Sequence, residues 1–283
     1  MLISEVIKEA TDQLTVAGVT SPNTDAKLLT CFALGIEKSE LELWLVEKRA
    51  FPIGELGEFK SALARRVERE PLQHITGVAY FRHLELEVGP GVFVPRPETE
   101  QLVEVAIQQL EEISNGMVVD LCSGSGAIAI AIQTEVPGSK VYSVELSNQA
   151  FSYLSRNMQK YGLDLENCRN EDLATAFGEL KGSVDLVVSN PPYIPDDAVP
   201  IDLEVSLHDP KIALYGGRDG LDVIRAISSR AKYLLRPSGR LLIEHADSQA
   251  GAITELLLSS GWKDIVSLQD LAGKDRMILA SKS

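Results

Sequence analysis

The chain has 283 residues, of which 45% are hydrophobic, so it is long enough for two domains with an ordinary apolar core. The chain has 27 lysine and arginine residues and 41 aspartate and glutamate residues, which gives a formal net charge of -14. A protein that mainly grips a phosphate backbone presents a basic surface, so this balance argues against direct nucleic-acid binding. One local basic cluster, formed by Arg65, Arg66 and Arg69, is interleaved with acidic residues, and we predict a solvated helix face there.

Cysteine and histidine usage argues against a metal site and against disulfides. The three cysteines and four histidines are scattered, without the spacing of metal ligands or of paired thiols. Free thiols suit a reducing compartment, so we expect a cytoplasmic protein. The first ten residues carry acidic side chains, and no segment approaches the roughly 20 apolar residues of a membrane helix. The sequence therefore predicts neither a signal peptide nor a membrane anchor.

Residues 1–75 show apolar residues at helical spacing, separated by short links, which predicts a small helical bundle. One helix is predicted to begin at a capping box formed by Ser39 and Glu42, in which a hydroxyl and a carboxylate satisfy free N–H groups. The other predicted helices run from Leu2 to Leu14, from Ser21 to Gly35 and from Gly54 to about Glu70.

Residues 76–95 change character and predict a β-hairpin that links the bundle to the rest of the chain. Apolar residues alternate with charged ones from Leu84 to Val88, and Val92 to Val94 follow a glycine-rich turn. A helix is then predicted to begin within Pro95–Glu100, where proline and acidic residues occupy the first turn.

From residue 117 onward, strands alternate with helices, which predicts a mostly parallel sheet covered on both faces. The predicted helices cover about 126–135, 147–161, 220–235 and 247–260. The predicted strands are Met117–Leu121, Val141–Glu145, a weaker one near 165–169, Val184–Ser189, Arg240–His245, Trp262–Leu268 and Arg276–Ala280. Residues 190–218 show little helical pattern and predict a long loop, which inside a compact domain is usually functional.

A glycine-rich turn after the first of these strands predicts a cofactor site, because glycines let a ligand approach the backbone closely. The turn contains G-x-G-x-x-A, so a dinucleotide site, an S-adenosylmethionine site and an ordinary tight turn all remain open for this loop by itself. Glu145, at the end of the next strand, could bind the ribose hydroxyls of either cofactor. The turn consists of Asp120, Leu121, Cys122, Ser123, Gly124, Ser125, Gly126, Ala127, Ile128 and Ala129.

Asp120 favours S-adenosylmethionine, because a carboxylate there would repel a pyrophosphate but suits the ammonium group of a methionine moiety. Asp172 could accept a hydrogen bond from the adenine amino group while Leu173 packs on the base, although Asp172 could equally cap a helix over 174–177. The product would be S-adenosylhomocysteine. The predicted donor site comprises Asp120, Cys122, Ser123, Gly124, Ser125, Gly126, Glu145, Asp172, Leu173 and Asn190.

Asn190, Pro191, Pro192 and Tyr193 directly follow a buried strand and predict the site of a planar NH2 group. An amide nitrogen is a weak nucleophile, because its lone pair is delocalised into the carbonyl. The amide nitrogen carries two N–H groups. The side-chain oxygen of Asn190 could accept a hydrogen bond from one and the carbonyl of Pro191 from the other, while Tyr193 could cover the flat face of the amide. Pro192 holds Pro191 extended. The motif could be only a turn, but ligands of α/β proteins collect at the ends of parallel strands.

With these residues placed, the chain resembles the HemK/PrmC family nearly from end to end. Members of this family are peptide chain release factor glutamine methyltransferases. The N-P-P-Y motif alone is shared with adenine methyltransferases, whereas its combination with P-R-P-E-T-E is far more specific. The matching runs are Glu70–Gly77, Pro95–Glu100, Asp120–Ala129, Asn190–Tyr193, Asp209–Gly217, Asp219–Leu221 and Gly273–Arg276.

The resemblance implies an α/β class I S-adenosylmethionine-dependent methyltransferase with a Rossmann-like, mostly parallel seven-stranded sheet. It implies a helical substrate-docking domain over 1–75, a β-hairpin linker over 76–95 and a catalytic domain over 96–283. The implied reaction is methylation of the side-chain amide of the glutamine in the Gly-Gly-Gln motif of bacterial class I release factors. The implied substrate site comprises Asn190, Pro191, Pro192, Tyr193, Arg96 and Glu98, with Asn190, Pro191 and Tyr193 as the catalytic residues.

Three positions depart from the family pattern: Cys122 stands where glycine is frequent, Glu145 where aspartate is common, and Leu173 where an aromatic residue is frequent. Two alternative functions accompany the leading one. The acidic composition argues against an adenine-amine methyltransferase of DNA or RNA. A noncatalytic ribosome-associated binding module would leave the glycine-rich turn unexplained.

Overall fold

The computed structural model of the chain describes residues 1–111, 113–200 and 202–283. Over these residues, none of the helices has the length and apolar character needed to span a bilayer. In the same part of the chain, no group of histidine, cysteine, aspartate or glutamate side chains is arranged to hold a metal ion.

The described residues form two compact units. The smaller unit is Met1–Val78 together with Pro200–His208, and the larger unit is Ala79–Val199 together with Asp209–Ser283. Most of the β-hairpin therefore belongs to the larger unit. The segment 200–208 belongs to the smaller unit, although the sequence predicted it as part of a long loop.

The helices and strands are numbered in chain order. The helices are α1 Ile3–Val16, α2 Pro22–Leu34, α3 Lys38–Val46, α4 Leu56–Val67, α5 Leu72–Thr76, α6 Pro97–Leu110, α7 Ala127–Glu135, α8 Asn148–Lys160, α9 Leu203–His208, α10 Lys211–Leu214, α11 Asp222–Leu234 and α12 Ala250–Ser259. The strands are β1 Val78–Phe81, β2 Leu84–Glu87, β3 Met117–Leu121, β4 Lys140–Val144, β5 Cys168–Arg169, β6 Val184–Ser189, β7 Leu235–Glu244, β8 Lys263–Gln269 and β9 Asp275–Ser281.

The smaller unit is a helical bundle whose core is formed by the apolar faces of α1, α2 and α4, as the spacing predicted. The predicted capping box is wrong, because α3 begins at Lys38 with Glu37 in the N-cap position, so Ser39 lies inside the first turn. The sequence also missed α5, a single short helix that follows Pro71 and ends at Gly77, whose backbone is left-handed.

Arg66 joins three segments of the smaller unit through buried ion pairs, so the solvated helix face predicted for its cluster is wrong at this residue. Its side chain is only 4% exposed. Nε donates to Asp25 of α2 at 2.7 Å, and Nη2 donates to Glu204 of α9 at 2.7 Å. Arg69 also donates to Glu204, at 3.0 Å. These contacts bind α9 to the helical bundle, which explains why a segment without a clear helical pattern is ordered.

We expect Arg66→Ala to lower the free energy of unfolding by about 3–5 kcal/mol, because it leaves the buried carboxylate of Asp25 without its cation. Arg49→Ala is the matched control, since Arg49 forms an exposed ion pair with Glu47 whose loss should cost less than about 1 kcal/mol. Urea unfolding followed by circular dichroism measures both. Equal losses for the two variants would contradict the importance of the buried network.

The larger unit contains a seven-stranded sheet in the order β5-β4-β3-β6-β7-β9-β8. Strands β3 to β7 run parallel, and β9 pairs antiparallel with both β7 and β8. Neighbouring residues of β3 point to opposite faces: Val118 packs in the core that contains α6, α7 and α8, and Val119 packs in the core that contains α11 and α12. Burial on both faces explains the continuous apolar strands. The predicted fold class is confirmed.

Four details after residue 90 differ from the sequence-based expectation. Residues 92–94 form no strand, and the weak strand near 165–169 is reduced to Cys168–Arg169. Strand β7 begins at Leu235, earlier than expected, because it pairs with Val184 through an irregular register. The predicted loop over 190–218 contains the short helices α9 and α10. The bounds of β5 and β7 depend on pairing partners distant in sequence, which residue patterns report poorly.

Candidate active site

The ends of three neighbouring strands bring the glycine-rich turn and the N-P-P-Y motif to the same edge of the sheet. Leu121, the last residue of β3, is level with Val144 of β4 and with Ser189 of β6. The Ser189 hydroxyl donates to the carbonyl oxygen of Leu121 at 2.5 Å, which ties the two strand ends together. The turn after β3 and the motif after β6 therefore leave adjacent strands at one level, at the edge where ligands of α/β proteins bind.

The turn between β3 and α7 combines three residues with left-handed backbone conformation: Cys122 (φ 65°), Gly124 (φ 54°) and Gly126 (φ 87°). A side chain rarely adopts this conformation, which accounts for the frequency of glycine at the position of Cys122. A Cβ atom added to Gly124 would meet nothing within 4 Å, so a ligand can approach its backbone. A Cβ added to Gly126 would lie 2.6 Å from Leu154, so this glycine permits close packing of α8.

Asp120 is a fully buried carboxylate, and within the described chain neither of its oxygens has a hydrogen-bond partner. Burial, together with the negative charge of Glu145, raises the pKa of this carboxyl to about 8. A buried acid without a partner is costly, and it is found where a ligand supplies the missing charge. The ammonium group of a methionine moiety fits this requirement, so the residues present fit S-adenosylmethionine.

Glu145 follows β4 and shapes the glycine-rich turn directly. Its two carboxylate oxygens accept the backbone N–H groups of Gly124 at 2.9 Å and of Ser147 at 2.8 Å. Burial raises the pKa of this carboxyl, and these hydrogen bonds oppose the rise. Each oxygen keeps a further lone pair, so the predicted contact with ribose hydroxyls is chemically compatible with the observed ones.

The remaining predicted donor residues differ in their exposure. Asp172 is exposed, and its Oδ1 accepts the N–H of Ala174 at 2.8 Å, so it caps a turn and not the helix weighed from the sequence. Leu173 packs partly against the core on one face of the sheet. Ser123 and Ser125 are buried, and the Ser123 hydroxyl donates to the Asp120 carbonyl at 3.0 Å.

Thr99 holds the side-chain amide of Asn190. The Asn190 Nδ2 donates to the Thr99 hydroxyl oxygen at 3.1 Å, and Thr99, in the first turn of α6, is buried. With the NH2 end engaged by the protein, the side-chain oxygen is the end available to another donor. The run Pro95–Glu100 and the motif after β6 thus meet in space through Thr99, which was not among the predicted site residues.

The backbone of the N-P-P-Y motif rests on glycines of a later segment. A Cβ atom added to Gly216 would lie 2.6 Å from the carbonyl oxygen of Pro192, and one added to Gly220 would overlap the carbonyl oxygen of Tyr193. Gln249 donates to the same Tyr193 carbonyl at 2.8 Å. Burial raises the pKa of the Tyr193 hydroxyl to about 12, so it stays protonated. The carbonyls of Pro192 and Tyr193 are therefore held in place by the later segment and by Gln249.

Arg96 and Glu98, predicted as substrate-binding residues, have different surroundings. Arg96 forms an ion pair of 2.8 Å with the buried Asp209, and its guanidinium lies 4.9 Å from the centre of the Phe93 ring. Glu98 is exposed. The arginine is therefore engaged within the protein, and a substrate contact by either residue stays a prediction.

The sequence analysis missed Glu244, the last residue of β7. Its carboxylate is buried, and Oε2 has no hydrogen-bond partner within the described residues. Burial raises the pKa of this carboxyl to about 7, while hydrogen bonding from Thr99 and Asn190 and the charge of Arg276 oppose the rise. A polar residue at the carboxyl end of a buried parallel strand is the signal that could have identified it.

Two family models and a relative of named activity match this chain. Residues 5–77 match the family described as PrmC N-terminal domain, and residues 84–207 match the family described as Methyltransferase small domain. The release factor glutamine methyltransferase of Streptomyces coelicolor is 46% identical over 287 residues, which cover 100% of this chain and 99% of that protein. The chain belongs to the release factor glutamine methyltransferase family.

Two further matches show how widely this family's fold is used. The 4-amino-L-phenylalanine/4-methylamino-L-phenylalanine methyltransferase of Streptomyces pristinaespiralis is 38% identical, over 92% of this chain and 88% of that protein. A 16S rRNA methyltransferase of T. Thermophilus, solved in complex with AdoMet and guanosine, has a TM-score of 0.52 and 22% identity, over 73% of this chain and 50% of that one. The second match shows the fold alone.

For this member of the release factor glutamine methyltransferase family, we expect Gly220→Ala to lower kcat by about tenfold or more with donor affinity unchanged. The added methyl group would displace the Tyr193 carbonyl and strain a left-handed backbone (φ 75°). Gly273→Ala is the matched control, because Gly273 (φ 74°) has nothing within 4 Å of its Cβ position and carries the strain without the overlap. Steady-state kinetics and donor titration distinguish them, and equal kcat losses would count against the backbone support.

Proposed function

We propose that this protein transfers a methyl group from S-adenosylmethionine to the side-chain amide nitrogen of the glutamine in the Gly-Gly-Gln motif of class I peptide chain release factors. The observation that carries the proposal is that Asn190, at the end of β6, begins the acceptor motif level with the turn that follows Asp120. The end-to-end likeness to release factor glutamine methyltransferases supports the choice of substrate. The protein would work in the cytoplasm, with the helical unit helping to bind the release factor.

The donor would lie against the turn after β3. Asp120 would pair with its ammonium group, Glu145 would accept from the ribose hydroxyls, and Asp172 and Leu173 would contact adenine. The donor supplies an electrophilic methyl group on a sulfonium sulfur and leaves as S-adenosylhomocysteine. The open space before the Gly124 backbone supports a close approach at that residue.

The acceptor amide would be activated by two fixed oxygens. Asn190 Oδ1 and the carbonyl of Pro191 each accept a hydrogen bond from one N–H group of the substrate amide. These two hydrogen bonds favour a lone pair localised on the amide nitrogen. Tyr193 covers the flat face of the amide and excludes water. A strong base is unnecessary, because the nitrogen becomes acidic once methylated and then releases its proton.

The arylamine methyltransferase of Streptomyces pristinaespiralis favours a second candidate function, because an arylamine also presents a flat NH2 group to such a motif. Under that alternative, 4-amino-L-phenylalanine would be the better acceptor. The adenine amine of an oligonucleotide is the third acceptor of this shape.

Mass spectrometry of purified release factor after incubation with the protein and S-adenosylmethionine tests the proposal. We expect a mass gain of one methyl group on the tryptic peptide that contains Gly-Gly-Gln, and no gain when that glutamine is replaced by alanine. Parallel reactions with 4-amino-L-phenylalanine and with an adenine-containing oligonucleotide should show far lower kcat/KM. An unmodified release factor, or a higher kcat/KM for either small acceptor, would overturn the proposal.

A further inference from the structure

The side-chain amide of Asn190 can perform its proposed role in only one of two orientations. The oxygen and nitrogen ends of an asparagine amide have nearly the same shape, and a rotation of 180° exchanges them. Oδ1 can accept from the NH2 group of a substrate amide, whereas Nδ2 would place one donor against another. Some feature of the protein must therefore select the productive orientation.

Two buried groups lie beside this amide. Thr99 of α6 accepts from Asn190 Nδ2 at 3.1 Å. Glu244, the last residue of β7, is only 3% exposed, and it follows Ile243, which is level with Ser189 of β6, so β6 and β7 bring Asn190 and Glu244 to adjacent strand ends. Hydrogen bonding from Thr99 and Asn190 opposes the rise in the pKa of this carboxyl. The three residues come from different segments of the larger unit, and two of them, Thr99 and Glu244, are buried.

We propose that the ionised carboxylate of Glu244, acting through the hydroxyl of Thr99, fixes the Asn190 amide with Oδ1 turned toward the methyl acceptor. Glu244 and Thr99 are positioning residues in this view, since they act through Asn190. The inference rests on the proposed function, because it concerns the acceptor site of that reaction.

The direction of the hydrogen bonds follows from the donors available. A carboxylate can only accept, so Thr99 gives its single O–H to Glu244, and its oxygen is then left with lone pairs. Those lone pairs require an N–H from Asn190, which sends Oδ1 the other way. The Oε2 atom of Glu244 has no hydrogen-bond partner in the described structure, so in this proposal it accepts the second N–H of the same amide. Each N–H or O–H donor in this series of hydrogen bonds then has one acceptor.

Protonation of Glu244 would reverse this order. A protonated carboxyl can donate to the Thr99 oxygen, which frees the Thr99 O–H to donate to Asn190 and favours the unproductive orientation. Burial raises the pKa of this carboxyl to about 7, so the proposed change occurs near neutrality. The charged, titratable and polar groups that act on Glu244 are Glu98 and Thr99 of α6, Asn190 and Tyr193 after β6, and Arg276 of β9.

The first test removes the hydroxyl. We expect Thr99→Val to lower kcat by about 10- to 100-fold at saturating donor and release factor, with donor affinity unchanged. Thr99→Ser keeps the hydroxyl, so its kcat should lie within about threefold of the wild-type value. Ser228→Ala is the matched control, because it removes another buried hydroxyl of the larger unit, one that accepts from Trp262 far along the chain from Asn190. It should leave kcat unchanged.

A double-mutant cycle separates positioning from a structural role. If Thr99 acts through Asn190, then Thr99→Val should have little further effect on kcat in a protein that already carries Asn190→Ala. Additive losses would overturn the proposal, as would a Thr99→Val protein with full kcat.

The second test follows the pH dependence of kcat at saturating donor, so that titration of Asp120 does not enter through donor binding. An acid that must be ionised gives a rate that falls as the pH drops through its pKa, here near 7. Glu244→Gln keeps an acceptor oxygen but cannot ionise, so we expect a lower rate without this fall. A Glu244→Gln profile that matches the wild type would overturn the role of its charge. Absence of methylation by the wild-type protein would instead refute the proposed function.

Discussion

Asn190→Ala should lower kcat by about 100- to 1,000-fold and leave donor affinity within about threefold of the wild-type value. The lost oxygen is proposed to act when the acceptor nitrogen localises its lone pair, so the contact matters most in the transition state. The glycine-rich turn, which is proposed to bind the donor, follows the neighbouring strand β3. Its hydrogen bond from the Gly124 N–H to Glu145 does not involve Asn190. Single-turnover kinetics with release factor and calorimetric titration with S-adenosylhomocysteine measure the two quantities separately.

The matched control for this variant is Asn148→Ala, which removes an exposed asparagine amide at the start of α8. It should leave both quantities unchanged. A fully active Asn190→Ala protein would remove the central element of the acceptor site. A loss of donor affinity as large as the loss of kcat would show that Asn190 belongs to the donor site.

Asp120→Asn should make the donor-free protein more stable and at the same time weaken donor binding by about 100-fold. The wild-type carboxylate is buried without a partner, so its charge costs stability that the neutral amide does not cost. We expect a gain of about 1–3 kcal/mol in the free energy of unfolding at pH 8. The same substitution removes the anion proposed to pair with the donor ammonium group, which explains the loss of affinity.

The pH dependence of this stability gain has a definite sign. The pKa of Asp120 is raised to about 8 in the folded protein, so the folded state binds this proton more tightly than the unfolded state. Wild-type stability relative to Asp120→Asn is therefore highest at acidic pH and falls as the pH rises toward about 8. Thermal unfolding between pH 5 and pH 8 (roughly the range of this titration) measures the difference. Asp12→Asn, at an exposed position, is the control and should show no such trend.

A difference between Asp120→Asn and wild type that stays constant over this range would contradict the buried, unpaired state of the carboxyl. Addition of S-adenosylmethionine should reverse the order of stability, because a ligand that binds only the folded state stabilises it. If the variant kept both its higher stability and its donor affinity, the proposed pairing with the ammonium group would be wrong.

Local patterns were sufficient for most of the fold. The helices of the smaller unit and the strand–helix alternation after residue 117 follow from the spacing of apolar residues, which reports which face of an element is buried. The same patterns failed where distant partners decide the outcome. Helix α9 is ordered by the buried Arg66, and the basic cluster that contains Arg66 is ambiguous in sequence because burial depends on the rest of the bundle.

The candidate site divides in the same way. Asp120, Glu145 and Asn190 were identified because each lies at the end of a strand of a parallel sheet or directly after it, and the ends of such strands meet at one edge. Thr99 and Glu244 were missed, although Thr99 lies in a motif that the sequence singled out. Its contact with Asn190 spans 91 positions of the chain, and no local signal connects the two.

The sequence by itself determined the strand–turn–helix order, the glycine-rich turn and the residue types that can accept an amide N–H, because these depend on neighbours along the chain. Tertiary structure alone decided which carboxylates lose their water, which glycines pack against a carbonyl, and which hydroxyl orients Asn190. Those properties arise from desolvation and close contact between separated segments, and only the folded chain creates either.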